Sequence, residues 1–304
     1  MPQSASGSRA STWIYLLPVL ATFFWGGNFV VGRAMHAEFA PTAMSFWRWT
    51  IALIVLLPFC LKDIWLQRDL VRLHWRRLWL LGTMGMAGFH TLVYVALQYT
   101  VAVNAALVMS MTPIFIALLG LLIYRDPVSG RQGTGIVVSL AGVAVILMRG
   151  DLATLATLSF NAGDVVMICS VPLWAAYSVI IKRLPGEFRP MTVIGTTTIA
   201  SVVTIFPVYL WELQTKGGFD LTPETISTVL YLGLFTSALG YIFWNKAIVE
   251  LGPTRTGVFM HLVPLSGTAM AIFFLGEKLM IFHGIGAALI FGGIYLASAK
   301  SKAS

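Results

Sequence analysis

The chain repeats itself at a near-constant offset, with an odd number of apolar segments in each copy. Trp25 returns as Trp174, Pro41 as Pro190 and Pro58 as Pro207, each 149 residues on. Gly82 returns as Gly233, Met109 as Met260, Pro113 as Pro264, Gly133 as Gly284, Gly135 as Gly286 and Gly142 as Gly293, each 151 residues on. Each copy holds five apolar segments. Five crossings turn the second copy over in a bilayer relative to the first. The fold is thereby restricted to two inverted halves, with any central site built from both.

The bilayer itself follows from composition. Charged residues are 11% of the chain, against about 25% in soluble domains, and the mean hydropathy is +0.83. A helical span needs about 20 mostly apolar residues. Ten segments qualify: 13–34, 41–61, 77–97, 103–123, 131–149, 162–182, 190–211, 225–246, 254–275 and 281–299. The expectation is an all-α integral membrane protein. It has ten transmembrane helices arranged as two inverted five-helix repeats, residues 1–150 and 151–304, in one membrane domain. The first apolar run, Trp13 to Val31, is longer than a signal-peptide h-region and no A-x-A pattern follows it. Cys60 and Cys169 sit in different segments, which suits packing and gives neither a disulfide framework nor a metal spacing.

A net charge of +8 would suggest nucleic acid in a soluble protein. Here its placement reads as orientation. With the N-terminus inside, fifteen basic residues fall in inner segments and four in outer ones, Arg33, Arg149, Lys216 and Lys278. That bias places both termini in the cytoplasm. The basic residues of 62–77 alternate with Ile64, Trp65, Leu66, Leu70, Leu73 and Trp75, which suits either an interfacial helix or an ordinary basic loop with aromatic anchors. The glycines of segments five and ten suit close helix packing within one molecule, and alternatively a dimer face. Monomer and homodimer both remain open.

Chemistry gathers in two matched sets. Pro113 and Pro264 fall near the middle of segments four and nine, where each removes a backbone hydrogen bond. Matched prolines in inverted halves suggest paired hinges, and alternatively passive kinks. Trp25 and Asn28 share a helix face, and their partners are Trp174 and Tyr177, joined by Ser178. His90 and Tyr94 are matched by Tyr241 and Asn245, and Ser110 by His261. Most lie well inside the segments, which disfavours an interfacial aromatic belt. Taken singly, each suits packing or one interhelical hydrogen bond. Taken together, they suit a polar-aromatic cavity.

Arg48 lies seven residues into segment two, about 10 Å below the outer surface at 1.5 Å per residue. It either binds a carboxylate or snorkels outward onto span-end carbonyls. Its shallow depth favours the second, structural reading, and its repeat partner Thr197 is uncharged. No Asp or Glu falls mid-segment. Asp164, Glu212, Glu250 and Glu277 are at segment ends. A proton-coupled carrier of organic cations would normally bury a carboxylate. This interior instead suits a neutral or zwitterionic solute with an apolar side chain.

The Trp-Gly-Gly-Asn-Phe run at 25–29, Phe-Trp-Arg at 46–48, Gly-Asp at 163–164 and Gly-Glu-Lys at 276–278, in this order over a 5+5 layout, resemble the drug/metabolite transporter superfamily, EamA type. Within it the chain is most similar to bacterial exporters of aromatic amino acids. The resemblance implies a multi-pass protein of the bacterial inner membrane that works by alternating access and needs no cofactor. It implies a central cavity formed by segments 1, 3, 4, 6, 8 and 9, with segments 5 and 10 at the periphery. The cavity residues it implies are Trp25, Asn28, His90, Tyr94, Trp174 and Tyr177, together with Tyr241 and His261. The expected partners are a small solute of the amino-acid class and the lipid bilayer. A drug or another metabolite is the alternative solute. An intramembrane enzyme using His90 and His261 finds no support in H-E-x-x-H, G-x-S-x-G or paired acids.

Overall fold

The computed structural model describes residues 12–151, 161–275 and 278–298, and among these there is helix and no strand. The helices are α1 Trp13–Ala34, α2 Pro41–Leu66, α3 Arg68–Tyr99, α4 Asn104–Tyr124, α5 Gly130–Leu147, α6 Ala162–Ile181, α7 Pro190–Lys216 and α8 Pro223–Leu251. Next comes α9, Leu262–Leu275. It is entered through the short helix Pro253–Gly257 and the 3-10 turn Val258–His261. Last is α10, Ile281–Ser298. All but α9 are long and apolar enough to span, so nine such helices stand among the described residues. The expected ninth segment is present but divided, and taken alone α9 has only 14 residues. Gly276, Glu277 and residues 152–160, which bear on the sequence motif and on the link between repeats, lie outside the described residues.

Local chemistry sets most helix starts. Prolines open α2, α7 and α8 in their first turns, where the missing N–H has no helical partner anyway. Reciprocal caps open α5 through Ser129 and Gln132 and α6 through Asn161 and Asp164. The stretch 62–76 is helical rather than a loop. Helix α2 runs on to Leu66 and α3 starts at Arg68, with one non-helical residue at His74 (φ −111°, ψ 16°). Trp65, Leu73 and Trp75 are exposed there. The Arg68 and Arg76 guanidinium groups sit 5.0 and 5.6 Å from the Trp65 and Trp75 ring centres.

The inversion is visible in contacts between equivalent helices. Near the start of α2, the Ala43 N–H donates to Glu212 Oε2 at the end of α7 (2.9 Å). At the other end, Arg189 opening α7 pairs with Asp63 near the end of α2 (2.7 Å). Asp63 and Glu212 are equivalent positions 149 residues apart, so α2 and α7 lie antiparallel with each acid serving the other's N-terminus. Helices α5 and α10 cross just as closely. A Cβ on Gly135 would stand 2.6 Å from both the Gly293 oxygen and the Ala297 nitrogen, and one on Gly142 would stand 2.6 Å from the Gly286 oxygen. Such backbone approach gives van der Waals contact where lipid provides no drive for helices to associate. The faces left exposed are apolar, through Ile54, Phe59, Leu122, Val137 and Val165.

Candidate functional site

Two widened helical turns shape the centre. Residues Gly82–Gly88 of α3 and Leu232–Leu239 of α8 are π-helical, and the 151-residue offset lays the first onto 233–239. Single π-turns often mark functional sites. Here their carbonyls receive aromatic side chains from other helices. Tyr241 Oη donates to the Gly85 oxygen (2.6 Å), and Trp25 Nε1 donates to the Thr236 oxygen (2.8 Å). Gly85 and Thr236 are themselves equivalent. Trp49 Nε1 and His90 Nδ1 both meet the Met86 oxygen, at 3.2 and 3.0 Å. A carbonyl only accepts, so Nδ1 of His90 carries the proton. Nε2 of the neutral ring is then an acceptor.

These bonds place a cluster of rings where the repeats meet. Trp25 and Trp174 stand edge to face, with centres 5.1 Å apart and planes at 90°. Trp174 also stacks on Tyr177 at 5.4 Å and packs 5.1 Å from Phe89. Such geometries contribute about 0.5–1.5 kcal/mol beyond burial. Beside the cluster lies a small cavity of about 20 Å³, lined by Trp25, Asn28, Phe29, Phe89, His90, Val93, Met109, Trp174 and Met260. Trp174 is 1% exposed, and its Nε1 has no hydrogen-bond partner among the described residues.

The expected residues divide on inspection. Trp25, Asn28, His90 and Trp174 line the space. Tyr94, Tyr177, Ser178, Tyr241 and His261 do not, and their polar atoms bond to the protein. Tyr94 Oη donates to Asn28 Oδ1 (2.8 Å) and Tyr177 Oη to Asn245 Oδ1 (2.9 Å). Equivalent positions thus carry one Tyr–Asn bond per repeat, with the two residue types exchanged between helices. Ser178 Oγ receives the long Trp244 Nε1 bond (3.4 Å). His261 Nε2 meets the Ser110 oxygen (2.8 Å) and Nδ1 meets Ser139 Oγ (2.6 Å), leaving neither ring nitrogen for a metal or a base.

That histidine also binds the break in α4. The helix from Ala102 ends at Met109 and a new one starts at Thr112. Thr112 Oγ1 takes the Met109 oxygen (2.6 Å), the acceptor that Pro113 leaves without its helical donor. The equivalent stretch before Pro264 is the 3-10 turn that ends at His261.

Sequence reasoning missed Phe29, Phe89, Val93, Met109 and Met260 as lining residues. The two methionines were visible as a repeat pair, and soft unbranched side chains suit an adaptable wall. It also placed Arg48 wrongly. Arg48 is 0% exposed and does not reach outward. Its Nη1 donates to Asn28 Oδ1 (2.9 Å) and Tyr94 Oη (2.6 Å), Nη2 to Thr236 Oγ1 (2.6 Å) and Nε to Ser237 Oγ (2.8 Å). Its face of α2 points at α1, α3 and α8, so depth along the helix gave no guide to its surroundings.

Comparison with known proteins agrees with this architecture. The family model described as "EamA-like transporter family" matches twice, over residues 12–148 and 161–299. The chain is 29% identical over 285 residues to "Uncharacterized transporter YyaM" of Bacillus subtilis, covering 94% of this chain and 93% of that one. It is 25% identical over 293 residues to a "Probable terminal-alkyne amino-acid exporter" of Streptantibioticus cattleyicolor, covering 96% and 94%. A crystal structure superimposes with a TM-score of 0.76 at 19% identity, over 94% of this chain and 96% of its own, a likeness of fold. Matched over nearly its whole length and in both repeats, the chain belongs to the EamA-like transporter family.

Proposed function

We propose that the protein is a secondary transporter that exports amino acids, aromatic ones included, across a bacterial inner membrane, with both termini in the cytoplasm. The two repeats, 1–150 and 151–304, move against each other about the broken backbone near Pro113 and Pro264. One observation carries the solute assignment. The space between the repeats combines aromatic walls with His90, and the buried Nε1 of Trp174 beside it has no hydrogen-bond partner among the described residues. A zwitterion with an apolar side chain satisfies all three, its ammonium on the histidine and its side chain against Trp25, Phe89 and Trp174. Similarity to a probable amino-acid exporter supports the same class.

The test is counterflow in proteoliposomes loaded with unlabelled solute and offered labelled phenylalanine, with the other amino acids as competitors. Exchange of phenylalanine and tryptophan is expected. Exchange of a drug or other metabolite, with no amino acid exchanged, would overturn the assignment while leaving transport itself in place.

A further inference from the structure

We propose that Arg48 is the receptor for a carboxylate on the transported solute, an inference that rests on the amino-acid reading above and deepens it. Among the described residues no carboxylate lies within ion-pair distance of the guanidinium, and its four contacts go to neutral groups. A buried guanidinium without an anion is costly in a membrane interior, and an ionisable group there marks a solute path by default. Structural arginines in such places pair with acids or with backbone carbonyls, whereas the four bonds of Arg48 go to side-chain oxygens of neutral residues. The acids placed deepest here are spent elsewhere, Glu212 on the Ala43 N–H, and Asp164 on the Asn161 N–H, Thr100 and Asn104.

The surroundings of Arg48 suit exchange. Four of its five N–H groups are held, and one on Nη2 is left over. Tyr94 passes its own proton to Asn28, and Thr236 passes its own to the Leu232 oxygen (2.7 Å). The Ser237 hydroxyl has no acceptor of its own among the described residues. Asn28 connects the cluster to the cavity. Its oxygen accepts from Arg48 and Tyr94, and its amide nitrogen, on a residue lining the space, meets no acceptor among the described residues. A carboxylate arriving beside Asn28 takes that amide, the spare Nη2 proton and the Ser237 hydroxyl. The guanidinium then contributes one charge-assisted hydrogen bond beside the two neutral donors. The equivalent residue Thr197 bonds only to carbonyls of its own helix, Val193 and Ile194. The anchor therefore belongs to one repeat, and the solute binds in one orientation.

The experiment is binding of phenylalanine, phenylalaninamide and phenylacetate to purified wild-type and Arg48→Gln protein. In the wild type, phenylalanine should bind roughly ten- to a hundredfold tighter than its amide, the range of a hydrogen-bonded charge. Arg48→Gln should erase that preference by weakening phenylalanine and leaving the amide within about threefold. Equal loss for acid and amide would make Arg48 a structural brace and overturn the proposal. If the variant does not fold, the wild type decides alone, since equal binding of acid and amide overturns it. Phenylacetate separates the two ideas. Its binding without any amino acid keeps the anion site and removes the amino-acid reading, whereas amino-acid binding indifferent to the carboxylate does the reverse. Absence of binding by all three removes both.

Discussion

Tyr94 and Tyr177 each donate one bond to an asparagine, yet only Tyr94 also receives one from a buried charge. Losing a neutral bond costs about 1 kcal/mol and losing one to a charged group about 1.5–3 kcal/mol. Tyr94→Phe should therefore lower thermal stability in detergent clearly more than Tyr177→Phe, and equal shifts would contradict a charge held by the first pair. Trp174 needs a gentler substitution than alanine, because it touches Trp25, Phe89, Tyr177, Tyr241 and Trp244. Trp174→Phe keeps most of this packing and removes the orphan Nε1. Losing one neutral donor costs about 1 kcal/mol, so binding of phenylalanine and of threonine should weaken alike, by about fivefold, as competition binding would read. The residues legible in the sequence were those whose type recurs, the paired tryptophans above all. Arg48 was misread because spacing along a helix measures depth and says nothing about which neighbours a face meets. His261 was read as wall because a histidine opposite a serine looks like a polar pair, and only geometry shows both its nitrogens occupied.

At the scale of the element, the glycines separate close packing from open faces. A Cβ on Gly85 would fall 2.2 Å from the Tyr177 ring, so Gly85→Ala should displace that ring and break the Tyr241 bond to the Gly85 oxygen. Gly135→Ala and Gly293→Ala would press on backbone across α5 and α10, whereas Gly133 and Gly284 have open space. The first two should lower melting temperature and the last two should not. If the Gly133 and Gly284 variants changed oligomeric state in size-exclusion chromatography, those open faces would be contacts between copies. Alanine at Pro113 or Pro264 returns an N–H to a broken stretch and should alter exchange rate more than solute affinity, as the two measured side by side would show. The proline breaks were readable because proline has a fixed backbone consequence. The π-turns were not, since one extra residue in a turn leaves no mark on apolar periodicity in stretches as short as Gly82–Gly88. The helical stretch 62–76, broken at Gln67 and His74, was one of two readings left open, because charge interrupted the apolar pattern without interrupting helix propensity.

For the whole molecule, the basic-residue bias sets an expected orientation that thiol labelling can check. Cysteines at Gly186 and Gly218 meet ordinary or open space and flank α7 at opposite ends. An impermeant thiol reagent applied outside intact cells should reach the second and spare the first. Nine of the ten expected spans stand among the described residues because each apolar run has to match a bilayer, while α9 came out shorter than its run because the backbone changes course at His261. A carrier assembled from two interchangeable copies would have two resting states of equal energy, since turning it over restores the same object. Arg48 removes that equivalence, for Thr197 offers no matching cluster on the other side. If opening one face parts this network of charged hydrogen bonds while opening the other leaves it whole, the two openings differ in energy. An imbalance of about 1.4 kcal/mol already holds the empty carrier in one state ten times in eleven. In a transporter working as proposed, a single side chain thereby sets the side on which the unloaded protein waits.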